Sequence, residues 1–398
     1  MTIESILKYG TPKHGQIKKM ILERRKASQR KMRDYHVKWD DADDSFKAYQ
    51  PTSELDNNRK AKRRLIGTHD YTTITVPYTF AIIMTAHTYW STVFLSRAPI
   101  YQLQGRHGET QNSIEAFEAA LDYQRLVGEH LVPLYNWIFD MSKYGFGVIS
   151  PYWERKESVI SRMVEQPYSI MGVPILGKTE KVMKSEVQVK YEGNCLYNVR
   201  PYDWFPDPRV AISSHQKGEF EGRDTQVGWF EILDGQRSKR YFNVDELAKR
   251  VKDAGGSAFE VDTGTPRENL PDQANDGMEM DKVPGPGFVH LHEMEIRIIP
   301  RAWGLSTGDR SEIWRFTIAQ GEVIIGAAPL GLYHDQFCFD VMEFGLGAHE
   351  FMKNNLIEVM QPLVDTISWL MNSHFYNHRK AMNEVLVVDP TRLVMTEQ

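Results

Sequence analysis

Phe288-Val289-His290-Leu291-His292-Glu293-Met294-Glu295-Ile296-Arg297-Ile298-Ile299 alternates apolar with polar side chains, the period-two signature of a strand with one buried face. Residues 312–319 and 322–326 repeat the pattern on either side of Gly321, the turn between them. The spacing predicts an antiparallel β unit over residues 288–345. Upstream, Asp253 to Asp281 holds eight acidic residues against the single Arg267, with Gly264, Pro266, Pro271, Pro284 and Pro286 nearby. Such a stretch cannot bury enough apolar surface to order itself, so residues 256–287 read as a linker. Downstream, Leu356, Met360, Leu363, Ile367, Leu370 and Met371 recur at three- and four-residue steps, predicting a helix over 348–384 with one apolar face. Pro362 cannot donate to the Glu358 carbonyl, so that helix must kink or restart there.

Asn112 and Glu115, at capping-box spacing, open a helix through Phe117, Leu121 and Leu126 that is interrupted at Pro133. It resumes with Leu134, Tyr135, Ile138 and Met141 and stops at Lys143 and Gly145. Residues 146–153 read as a strand and 183–200 as a pair of half-buried strands. Asn243 and Glu246 open a further helix that ends at Gly255 and Gly256. The elements together predict an α+β chain.

At 398 residues the chain is long enough for two or three domains of about 150 residues. Its 41% apolar and 25% charged residues exclude global disorder, collagen and a polytopic membrane protein. Cys195 and Cys338 are too few for a disulfide scaffold or a Cys-rich zinc site, which favours a reducing compartment. The opening MTIESILKYG has no secretory-signal pattern. The net charge of −5 conceals an asymmetry: residues 1–64 hold 17 Lys/Arg against 9 Asp/Glu, which leaves −13 on the rest. A weak stripe of Ile17, Met20 and Ile21 runs through this basic segment, followed by Asp40, Asp41, Asp43 and Asp44 and a second cluster, Arg59, Lys60, Lys62, Arg63 and Arg64. It reads as a helical arm turning into a polar linker, either solvated or set against an acidic surface or DNA phosphates.

Tyr71 to Ser96 contains no Asp, Glu, Lys or Arg and is long enough to cross a bilayer. Its seven threonines, His87 and Pro77 argue against a span, and Phe80, Ile83, Met84, Phe94 and Leu95 fit one greasy helical face. A buried helix of a large assembly is the reading, with peripheral membrane attachment as an alternative.

Motifs for chemistry are sparse. The chain has no Gly-Lys-Ser/Thr phosphate loop, no Gly-x-Gly-x-x-Gly and no Gly-x-Ser-x-Gly elbow, so it reads as a non-enzyme without a cofactor. His374 and His378 stand one helical turn apart and could meet one metal, which makes a metal-dependent hydrolase the competing reading, although no third ligand is evident. His349–Glu350 reads as a cap or interface, and His290 and His292 as surface residues on one strand face.

Four segments occur in order: Tyr144-Gly145-Phe146-Gly147-Val148 leading to Trp153-Glu154; Arg200-Pro201-Tyr202-Asp203-Trp204-Phe205-Pro206-Asp207-Pro208; Trp314-Arg315-Phe316-Thr317-Ile318 leading to Gly321-Glu322-Val323-Ile324-Ile325; and a helix from His349-Glu350-Phe351 through Gln361 and Asn372 to Val387-Val388-Asp389-Pro390. Across residues 112–390 this arrangement resembles the portal, or head-to-tail connector, proteins of tailed bacteriophages, those of short-tailed phages in particular.

The resemblance implies a homo-oligomeric ring, usually of twelve subunits, at one capsid vertex of the virion. Assembled in the host cytoplasm, it conducts double-stranded DNA during packaging and ejection. A wing would pack against the major capsid protein, and a clip would dock terminase and then a tail adaptor. Mapped here, 1–70 is the arm and linker, 71–255 the wing, 288–345 the clip, 346–385 a stem helix and 386–398 the start of a channel loop and crown. Tyr202, Asp203, Phe205, Asp207 and Pro208 would form a structural turn of the wing. Pro362 to Asn383 gives about 33 Å of helix, facing roughly 20 phosphates of duplex DNA. A lining with few cations lets such a polymer slide. Lys353, Asn354, Asn372, Asn377, Arg379 and Lys380 are the channel-facing or intersubunit candidates, and Trp303 and Trp314 the docking candidates.

Overall fold

The computed structural model describes residues 3–47, 77–97, 99–105, 108–170, 173–253, 288–345 and 350–382. The second basic cluster, the 256–287 linker, His349 and residues 386–398 lie outside the described residues.

The N-terminal segment is a 36-residue helix, α2 (Pro12–Lys47), preceded by the short α1 (Ile3–Ile6). It is not a solvated arm. Ile17, Met20, Ile21, Ser28, Met32, Trp39 and Ala42 are all buried along it. The stripe looks weak in sequence because several of its inward residues are polar, each with a distant partner. His14 accepts a hydrogen bond from the Ile324 amide at Nε2, 3.1 Å away, and the Ser28 hydroxyl donates to the Pro206 carbonyl at 2.7 Å. On its flanks, Arg24 pairs with Glu219, and Arg25 with Asp224.

The architecture is α+β, built on two antiparallel sheets. One has five strands in the order β3 (Trp204–Pro206), β4 (Phe220–Gly228), β5 (Phe288–Ile298), β6 (Glu312–Ala319) and β7 (Val323–Pro329). Phe220, Met294, Ile296, Ile298, Trp314, Phe316, Ile318 and Ile324 form one face and pack under the N-terminal half of α2. Val289, Leu291, Ala319, Val323 and Ile325 face the other way, under Ile232 of α6 (Trp229–Arg237) and Val244 and Leu247 of α7 (Val244–Asp253). Gln320 and Gly321, both at positive φ, close the β6–β7 hairpin. The segment read as a separate β unit thus shares its sheet with strands upstream of the linker, because β5 pairs with β4 along its length.

The second sheet orders β2 (Val173–Val199), β1 (Phe146–Ile170) and β8 (Asp340–Glu343). β1 and β2 form one long hairpin that also spans 154–182, so 183–200 is one strand rather than a pair. Its base is buried with Met32, Trp39, Tyr202, Trp204, Phe337 and Phe339 in a core where the C-terminal half of α2 meets both sheets. Trp39 lies within ring contact of His36, Tyr144, Phe146 and Tyr202 there.

α4 (Gln111–Val127) begins after Thr110, two residues before the expected Asn112 cap. α5 (Leu131–Tyr144) restarts beyond Gly128, with Pro133 in the first turn, where its missing N–H costs no helical hydrogen bond. Gly145, at φ +90°, caps α5. A side chain at Gly147 would collide with the Trp137 carbonyl, so this glycine lets β1 pass against α5. α3 (Tyr78–Leu95) and α9 (Leu356–Met382) complete the fold, with α8 (Pro300–Trp303) a single turn. α9 starts eight residues later than read from the sequence, because the Asn355 side chain accepts the Glu358 amide hydrogen at 2.6 Å and fixes the start there; the helix continues through Pro362.

Trp39→Ala removes the ring shared by α2, α5 and the hairpin base. We expect a loss of about 3–5 kcal/mol in urea unfolding, the range for a buried large aromatic.

Candidate functional site

Among the described residues α9 is anchored near its start. Ile357 is buried with Ala42 and Ile83 in a small core, Leu356, Phe46 and Phe139 pack around them, and Val364 is the last buried residue of the helix. From Asp365 to His378 each side chain is exposed or half-covered. The stripe Leu363, Ile367, Leu370 and Met371 is therefore open, with Leu363 67% and Leu370 54% exposed. α3 buries Thr79, Ile83 and His87 along one line and leaves Phe80, Tyr89, Val93 and Phe94 exposed. The greasy face expected of this helix is thus divided: Ile83 is covered, Met84 and Leu95 are half-covered, and Phe80 and Phe94 are open. α4 buries no residue and exposes Phe117, Tyr123 and Leu126. Exposed large apolar side chains on three helices exceed what a fully solvated surface ordinarily carries and are candidates for contact with a partner. Among the described residues no helix is long and apolar enough to cross a membrane.

The other concentration of chemistry is a buried polar joint between the two sheets. Glu221 of β4 and Glu295 of β5 are direct cross-strand neighbours, both closed to water. Arg315 Nε donates to Glu295 Oε1 at 3.0 Å, and the Cys338 amide donates to Oε2 at 2.8 Å. Glu221 Oε1 lies 2.7 Å from His215 Nδ1, whereas its Oε2 has no hydrogen-bond partner among the described residues. Gln216 brackets the same segment: its Nε2 donates to the Phe337 and Phe339 carbonyls, and its Oε1 accepts the Phe337 amide hydrogen. From the second sheet, the Ser150 hydroxyl donates to the Cys338 carbonyl at 2.7 Å. Burial pushes the Glu221 carboxyl up to about 7 against the pull of His215, and the nearby Glu295 and Asp340 add to the rise. Burial likewise pushes the Cys338 thiol up to about 12, far from a reactive thiolate. The adjoining cavity, bounded by Tyr152, Arg223, Glu293 and Arg315, measures about 10 Å³, room for a single water. This cluster locks the two sheets together.

The residues singled out in sequence separate accordingly. Lys353 binds Glu343 of β8 at 2.8 Å with little exposure, so its charge is neutralised within the subunit rather than offered to a channel. Asn354 and Asn377 are exposed and Asn372 is half-buried. Arg379 and Lys380 lie on the last turns of α9, and their side chains fall outside the described set. Trp314 is 1% exposed and stacks on Phe316 in the core, which removes it as a docking residue; Trp303 is half-buried against the same core. Tyr202 is buried, its hydroxyl directed at Asp40 and Asp43, and Phe205 lies under the Arg25 guanidinium. Asp207 accepts the amide hydrogens of Arg209 and Glu219 as well as the Arg209 guanidinium; burial opposes its ionisation, but these donors outweigh it and hold the carboxyl low. Asp203 is raised by burial against the pull of Arg200. Pro208 follows in the turn. His292 is not a surface residue: it meets Asp224 beneath Arg25, and His290 is half-buried. His374 and His378 stack in parallel, both exposed, and no group of three metal-ligating side chains exists among the described residues.

No family model matches the chain, and no curated protein matches it either. The sequence reading missed Glu221, Glu295 and Gln216. Strand alternation assigns Glu295 and Glu221 to the polar side of their strands, so the sequence pattern did not mark them as buried.

Glu221 is raised above its unfolded value near 4.5, so its stabilising contribution is complete below about pH 4.5 and is lost as pH climbs through 7. Wild-type stability in urea should fall by on the order of 2–3 kcal/mol across that window. Glu221→Gln should flatten the slope between pH 5 and 8.

Proposed function

We propose that this chain is a subunit of a portal-type ring that conducts double-stranded DNA at a capsid vertex, docking terminase during packaging and tail proteins afterwards. The observation that carries the reading is the projecting half of α9, whose apolar stripe has no cover among the described residues. Identical helices side by side around a closed ring cover such a stripe without any further protein.

Charge supports the same reading. The −13 balance outside residues 1–64 keeps a polyanion from adhering to the body. The acidic cross-strand pair and the Asp207 turn are internal scaffolding rather than a reaction centre, consistent with a conduit. Asn354, Asn372, Asn377, Arg379 and Lys380 on and beside the rod are assigned to the channel or to neighbouring subunits.

Native mass spectrometry of the purified chain at micromolar concentration should give one closed oligomer, and negative-stain images an annulus with a central hole. Leu363→Asp combined with Leu370→Asp should convert it to monomer with Tm little changed, because both side chains are exposed in the single subunit. A monomeric wild-type chain without a hole in its images would overturn the proposal.

A further inference from the structure

The β1–β2 hairpin leaves the body at about Trp153 and continues to Ile170, roughly 60 Å of two-stranded ribbon. A ribbon of that kind is marginal in water without a surface to lie on. Its two faces differ. Val159 pairs with Val187 and Met163 with Met183, with Ser161 and Ser185 between them, so these side chains share one face. Val159, Met163 and Met183 are each more than 60% exposed. On the opposite face Val164 and Val182 are less exposed, at 38% and 40%, and beside them Arg162 lies directly across from Lys184, a like-charge pair that keeps that side hydrated.

We infer that the Val159–Met163–Met183–Val187 face is an arm that lies on a second copy of this chain, against the uncovered side of α4 marked by Phe117, Tyr123 and Leu126. This rests on the ring reading and names a contact that closes the ring. The chain presents two different uncovered apolar surfaces, one on the ribbon and one on α4. One repeated head-to-tail contact covers both, and such heterologous contacts generate rings. Among the described residues α4 meets its own hairpin near the base, where Asn194 Nδ2 donates to Gln124 Oε1, and the ribbon continues outward from that contact. About 40 Å of ribbon some 10 Å wide offers ~400 Å² per subunit. Added to the α9 stripe, that approaches the ~800 Å² per partner of a stable interface. The ribbon's ion pairs, Arg155–Glu157, Lys156–Glu154 and Lys181–Glu165, balance in sign, which fits a protein surface rather than a polyanion.

The test compares full-length wild type with Val159→Asp/Met183→Asp on the apolar face and Ser158→Asp/Gln188→Asp on the other. The first pair should weaken assembly at least tenfold in sedimentation equilibrium, while the second leaves it unchanged; circular dichroism and Tm report that both remain folded. In addition, Met163→Cys chains mixed with Phe117→Cys chains should yield disulfide-linked dimers that neither variant forms alone. Rings that persist in the first pair, with no crosslink in the mixture, overturn this contact and leave the ring standing. A wild-type monomer overturns both. Hydrogen-exchange protection of residues 157–165 at dilutions where only monomer exists would assign the cover to the same chain and also overturn it.

Discussion

The fold depends on one helix serving two sheets. The first half of α2 closes the five-stranded sheet with Ile17, Met20 and Ile21, and its second half closes the hairpin base with Met32 and Trp39. Among the described residues neither sheet has another element of comparable length on that side. Charged residues reinforce the seam: Arg24 and Arg25 bind Glu219 and Asp224 on the strand side, and Lys143 of α5 forms a buried pair with Asp43 near the far end. Removing one partner of such a pair leaves a desolvated charge, so the seam penalises partial separation more than its net contribution to stability suggests.

Seen from this spine, the molecule has a dense half and an open half. Around the five-stranded sheet both faces are covered. Around α3, α4, α9 and the outer hairpin, large apolar side chains face solvent. The polar joint at Gln216, Glu221 and Glu295 lies on the dense side and ties the open half to it through Phe337–Phe339. The exposed apolar surfaces are in this way mounted on a base whose own cores do not include them.

How much could be read from the residues follows the same division. Strand alternation at 288–299 and the Gln320-Gly321 turn were legible, because a sheet face under a helix imposes a strict period. The stop at Gly145 was legible because the left-handed cap requires glycine. α2 was under-read: its inward line passes through His14, Ser28 and Asp43, whose partners lie far away in sequence. The ends of the long hairpin were read as strands, whereas its outer part was not, since no face of it is buried among the described residues and no strict period results. Trp314 stood between a docking and a core reading because a tryptophan on a strand is ambiguous until its face is known, and its burial decides for the core. The stem stripe was read as one apolar face of a helix in need of neighbours, and among the described residues it is open.

The exit of α9 from the body is fixed at a small site. Gly145 closes α5 with its α-carbon against the Lys353 carbonyl and Asn355, and Asn355 in turn starts α9. The helix beyond is about 40 Å long, so tilting it by only 5° at this pivot swings its far end by roughly 3–4 Å. Any strain reaching the Gly145–Asn355 contact, from the hairpin on one side or α5 on the other, is thereby magnified at the distant tip, as by a lever.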